Sequence, residues 1–85
     1  MVKNTAVSIE LFGIQRDIAK TDKVNMPITA RTIVRDALEY VRNKYPALPL
    51  DEDSILITVN QEQASLDRLL RANDTIYILT HIGGG

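Results

Sequence analysis

Of the four glycines in this 85-residue chain, three are its last three residues, Gly83, Gly84 and Gly85, directly after an alternating β-branched run. Glycine has no Cβ, so a glycine backbone adopts conformations closed to other residues and threads a narrow groove. The residues from Ile82 to Gly85, extended at ~3.3–3.6 Å each, hold the terminal carboxylate about 13–14 Å from the body of the chain. That carboxylate is ionised at neutral pH and can attack the α-phosphorus of a nucleotide. An enzyme holding ATP and Mg²⁺ would make it an acyl-adenylate. Attack on the adenylate by sulfide, persulfide or a thiol would then give a thiocarboxylate or thioester. A run of glycines is also what an unstructured end looks like. Its place directly behind a strand, in a domain of this size, favours an arm shaped to enter another protein.

Other chemistry has few residues to work with. The chain has no Cys, which excludes disulfides, thiolate metal sites, cysteine-ligated clusters and a cysteine nucleophile. Its one histidine, His81, has no acid or nucleophile placed beside it and reads as a solvent-facing strand residue. The run Asp51-Glu52-Asp53 reads as a solvated loop, because a carboxylate metal site needs further ligands and none are near. No metal site is expected. Ten basic residues balance eleven acidic ones without a run of either sign, so neither nucleic acid nor a membrane surface is an expected partner. No apolar stretch approaches the ~18–20 residues of a membrane span, and the first residues do not form a signal-peptide core. The expected location is the cytoplasm.

The elements that must position the tail follow from periodicity. Val7, Ile9 and Leu11 alternate with Ser8, Glu10 and Phe12, the pattern of a strand with one buried face. Residues 13–22 read as a loop, with at most a short helical turn at 14–18. Lys23 to Ile28 alternates again, and Pro27 confines it to a sheet edge or a strand end. From Thr32, placed as N-cap, the residues Ile33, Ala37, Leu38, Val41 and Tyr45 fall on one helical face until Pro46 ends the run. Ile55 to Asn60 is a β-branched central strand and Asn60 to Gln63 a polar turn. Residues 64–70 are ambiguous between strand and helix, with Leu66, Leu69 and Leu70 inward. Asn73-Asp74 turns into the last strand, Thr75 to Ile82, with Ile76 and Ile78 in the core. One helix across a four- to five-stranded mixed sheet makes a small α+β domain.

In this order the pieces resemble a known family. Ile9-Glu10-Leu11-Phe12-Gly13, the helix ending Lys44-Tyr45-Pro46, Val59-Asn60, Asn73-Asp74 and the terminal Gly84-Gly85 are similar to the MoaD- and ThiS-like β-grasp sulfur carriers, which are the small subunit of molybdopterin synthase and the thiamine-pathway carrier. The resemblance implies a ubiquitin-like β-grasp domain over residues 1–82 and a flexible glycine tail over 83–85. It implies a carrier and not an enzyme: Gly85 bears the activated carboxylate and then the sulfur, while Gly83 and Gly84 give clearance in the partner's channel. No tightly bound cofactor is implied, since ATP and Mg²⁺ belong to the adenylating enzyme. The implied partners are that enzyme and a sulfur acceptor such as the molybdopterin synthase large subunit or thiazole synthase. A ubiquitin-like modifier, conjugated through the same diglycine to lysines, is the alternative.

The resemblance also implies that the outer sheet face docks on these partners. By strand parity that face carries Phe12, Leu56, Tyr77 and Leu79, an apolar patch beside the tail. Asn73 stands where the family usually has glycine, and asparagine tolerates the positive φ such a turn needs. Arg68 and Arg71, ahead of the last strand, are available to acids of a partner.

Overall fold

A computed structural model describes residues 5–80. In chain order the elements are β1 (Ala6–Leu11), α1 (Ile14–Ala19), β2 (Lys23–Pro27), α2 (Val34–Lys44), a 3-10 turn at Glu52–Ser54, β3 (Ile55–Val59), β4 (Glu62–Gln63) and β5 (Thr75–Thr80). They form one five-stranded sheet in the order β2-β1-β5-β3-β4. β1 and β5 pair in parallel and the other neighbours are antiparallel. A parallel pair needs a long crossover, and everything between Phe12 and Asp74 supplies it.

The alternation of β1 becomes a strict inward set of Val7, Ile9 and Leu11, each at most 1% exposed. Val24 and Met26 of β2, Ile57 and Val59 of β3, and Ile76 and Ile78 of β5 complete the inner face. Val34, Ala37, Leu38 and Val41 of α2 fall at i, i+3, i+4 and i+7 and close over it. This is the β-grasp arrangement. Pro27 ends an edge strand, as its missing N–H requires.

The start of α2 differs from the expected cap. The N-cap is Ile33, whose N–H donates to Asp36 Oδ2 at 2.9 Å, while the Thr32 hydroxyl accepts from the Thr29 N–H in the preceding turn. The next N–H groups, of Val34 and Arg35, donate to the carbonyls of Arg68 and Leu66 at 2.9 Å each. Residues 64–70 are therefore neither strand nor helix. They are a loop whose backbone satisfies donors that a helix start leaves open, and Leu69 forms an isolated bridge with Ile33. That geometry buries Leu70 at 3% exposure, leaves Leu66 half-buried and turns Leu69 outward at 57%, contrary to the inward placement.

Two further differences are local. Glu62 and Gln63 are a strand and not turn residues: they pair with Val59 and Thr58 around a two-residue turn in which Asn60 and Gln61 have φ of 53° and 73°, the geometry of a type I′ hairpin. Residues 14–19 form a full short helix, entered through Gly13 at φ 59° and ψ −131°, a conformation that only glycine adopts without strain. At the far end of α2, Arg42 Nε and Nη2 donate to the Leu50 carbonyl, folding the loop back so that Leu48 and Leu50 enter the core.

Candidate docking face and tail exit

Residues paired directly across strands point to the same side of a sheet. Leu79 pairs with Leu56, and Tyr77 with Thr58 on one side and Glu10 on the other. Since Ile76 and Ile78 are fully buried beneath, Leu56, Tyr77 and Leu79 share the outer face, as parity predicted. Phe12 continues β1 beside them. Its ring meets Tyr77 edge-on with centroids 5.1 Å apart, a favoured aromatic geometry. The four patch residues are thus brought together, with Phe12 37% exposed and the other three half-buried. A groove of about 270 Å³ runs past Leu56, between β3 and the loop at Ala64 to Leu66.

The patch lies around the end of β5. β5 is the middle strand, and its last residue, Thr80, pairs with Ile55 at the start of β3. On its other side Leu11, at the end of β1, lies opposite Ile78. The exit is therefore flanked by α1 through β1 and by the 3-10 turn through β3. His81, Ile82, Gly83, Gly84 and Gly85 lie outside the described residues, as do the domain boundary at 82 and the tail.

What holds β5 in this register is a clamp between two turns. Asp74 is buried. Its Oδ2 accepts from the Arg71 N–H and its Oδ1 from Asn60 Nδ2, both at 2.8 Å, while Asn60 Oδ1 accepts from the Thr75 N–H at 3.0 Å. Asn73 has φ 71° and donates its N–H to the Ala6 carbonyl, so asparagine does serve where φ must be positive. Asp74→Ala removes the acceptor of two part-buried hydrogen bonds, and a cost of about 1–3 kcal/mol is expected. Urea unfolding measures it; a loss below about 0.5 kcal/mol, the range of ordinary surface substitutions, would show the clamp to be ornamental.

Several of the charged residues pair within the chain. Asp51 Oδ1 accepts from the Asp53 N–H, and Glu52 lies 3.9 Å from Arg35 and 3.7 Å from Arg42. Arg68 pairs with Glu62 at 3.8 Å within this chain, and Arg71 stays exposed. No group of three metal-ligating side chains converges among the described residues. No helix among them is long and apolar enough to cross a membrane.

Missed by periodicity were Ile14 and Ile18, exposed on α1 beside Phe12. Their i, i+4 spacing behind Gly13 was the available signal.

Solved structures share this architecture. The small archaeal modifier protein SAMP1 of Haloferax volcanii superimposes with a TM-score of 0.81 at 24% identity, over 94% of this chain and 99% of that one. A putative molybdopterin converting factor, subunit 1, of Pyrococcus furiosus gives 0.80 at 22% identity, over 92% and 99%. Small archaeal modifier protein 1 of Methanosarcina acetivorans gives 0.78 at 28% identity, over 99% and 100%. No curated protein matches the chain significantly. The ThiS family model matches residues 9–85, from the middle of β1 through the final glycine. The chain belongs to the ThiS family, ubiquitin-like sulfur carriers and modifiers of the β-grasp fold.

Proposed function

We propose that this chain is a sulfur carrier acted on by two other proteins. An oxygen of the Gly85 carboxylate attacks the α-phosphorus of ATP, held with Mg²⁺ by a separate adenylating enzyme, and pyrophosphate leaves. Hydrosulfide then attacks the acyl carbon and AMP leaves, which gives the thiocarboxylate; with a persulfide as nucleophile the product is an acyl disulfide, and two thiols reduce its S–S bond to release the thiocarboxylate and form a disulfide. An acceptor enzyme joins that sulfur to a cofactor precursor, of molybdopterin or tungstopterin or of thiamine, and water attacks the acyl carbon as its C–S bond breaks, so the carboxylate returns. The observation that carries this reading is that the family match runs through Gly83, Gly84 and Gly85.

In this reading the domain supplies no catalytic side chain. The outer face of Phe12, Leu56, Tyr77 and Leu79 seats the partner, and the glycines let the tail pass a channel too narrow for side chains. The adenylating enzyme and an acceptor, such as a molybdopterin synthase large subunit or a thiazole synthase, use the same face in turn. The likeness to a molybdopterin converting factor subunit supports the pterin branch. All of this chemistry belongs in the cytoplasm.

The likeness to small archaeal modifier proteins favours a second reading, in which the same adenylate ends as an isopeptide bond to a lysine. Intact-mass measurement on protein from its native cell separates the two. A mass gain equal to one oxygen-for-sulfur exchange is the expected result. Conjugates leaving a Gly-Gly remnant on lysines would replace the carrier with the modifier. Neither signal, with function intact after removal of Gly84 and Gly85, would leave a plain interaction domain and overturn both.

A further inference from the structure

The large apolar side chains exposed among the described residues are Phe12, Ile14, Ile18 and Leu69. Three of these fall within residues 12–18, directly beyond the end of β1. Leu69 is far from them, on the groove that Thr5, just before β1, also lines. Because β1 and β5 are parallel, with Leu11 opposite Ile78, α1 leaves the sheet at the same end as the tail.

The orientation of α1 is the reverse of what burial alone would select. Its one buried residue is Gln15, fully inward, with Ala19 packed against the core, while Ile14 is 58% and Ile18 38% exposed. Those two isoleucines lie four residues apart, one turn above the other on a single side. The backbone holds them there: Gly13 turns the chain, the Lys20 N–H closes on the Arg16 carbonyl, and the Leu11 N–H donates to the Asp22 carbonyl. They follow Phe12 in the chain, just beyond the end of β1, and the Phe12 ring in turn meets Tyr77 on the sheet face.

The length of the tail restricts what can cover them. Five residues follow Thr80, a reach of about 17–18 Å when extended. A protein that takes the Gly85 carboxylate into its active site must bring its own surface within that radius of the end of β5. Ile14 is three residues beyond Leu11, which lies opposite Ile78 two residues before the end of β5.

We propose that Ile14 and Ile18 are a second docking point for the enzyme that activates the Gly85 carboxylate, seated in an apolar recess at the mouth of its tail channel. The proposal rests on the reading that Gly85 is activated. Activation precedes both the thiocarboxylate and the lysine conjugate, so this enzyme is the partner the two fates share.

The test is ATP–pyrophosphate exchange by the adenylating enzyme of the native cell, titrated with the full chain. Replacing both residues, Ile14→Asp with Ile18→Asp, is expected to raise the half-saturating carrier concentration about tenfold or more with the maximal rate kept within about twofold, the signature of lost docking. The Ile14→Leu, Ile18→Leu pair should restore saturation, and Leu69→Asp at the opposite end should leave it unchanged. Circular dichroism melting of each variant identifies any that fails to fold, and the conservative pair keeps the comparison decisive. Unchanged saturation in the folded aspartate variant, or an equal effect of Leu69→Asp, overturns the docking point while leaving the Gly85 reading intact. Absence of exchange with the unaltered chain overturns that reading, and this inference falls with it.

Discussion

A chain extended by one residue past Gly85 is expected to lose adenylation and sulfur transfer completely and to keep its melting temperature. One added residue moves the carboxylate by ~3.3–3.6 Å along an extended tail. That equals the whole separation of about 3–3.5 Å at which reacting atoms must be held. The tail cannot absorb the excess by looping if its channel admits only a bare backbone. β5 ends at Thr80, five residues earlier, so the extension touches nothing in the core. Pyrophosphate exchange and the mass of the carrier check the first half, and thermal unfolding the second. Sulfur transfer by an extended chain that has not been trimmed would refute the carboxylate mechanism.

Leu38→Ala should act in the opposite way, through stability with the chemistry untouched. Leu38 is fully buried on α2 against the sheet. Truncating such a leucine costs about 2–5 kcal/mol, from lost transfer energy plus the cavity left behind. A chain of 85 residues has a total stability of about 4–13 kcal/mol at ~0.05–0.15 kcal/mol per residue. The substitution therefore removes a large share, and because each kcal/mol moves the midpoint of so small a domain by about 4–8 °C, a fall of roughly 10 °C or more is expected. At a temperature where the variant is still folded, its half-saturating concentration and maximal rate in pyrophosphate exchange should match those of the unaltered chain. A deficit that persisted in the folded variant would place α2 in the docking surface.

Much of this was legible before the structure because the signals are local. One-sided burial writes a period of two into β1, so Val7, Ile9 and Leu11 announce the core and Phe12 the opposite face. The same parity carried Tyr77, Leu79 and Leu56 to the correct side. What could not be read depends on residues distant in sequence. The cap of α2 went to Ile33 and Asp36 because Thr32 was already engaged with Thr29, and the open donors found carbonyls in the loop at 66–68. The clamp joins Asn60 to Asp74 across two turns, each of which reads locally as polar turn material. α1 escaped because the pattern of a surface helix assumes apolar side chains inward, and here Gln15 is inward and the isoleucines are not.

The place of β5 in the sheet has a consequence for synthesis. It is the last of the described strands in sequence and the middle one in space, and within the sheet β1 and β3 are joined only through it. Until residues 75–80 have been translated, β2 with β1 and β3 with β4 are two strand pairs with exposed edges and no shared centre. Closing the sheet joins Ser8 to Thr75, a long-range step that comes late because its loop entropy must be met first. The strand whose arrival completes the sheet is thus the one nearest Gly83, Gly84 and Gly85 in sequence.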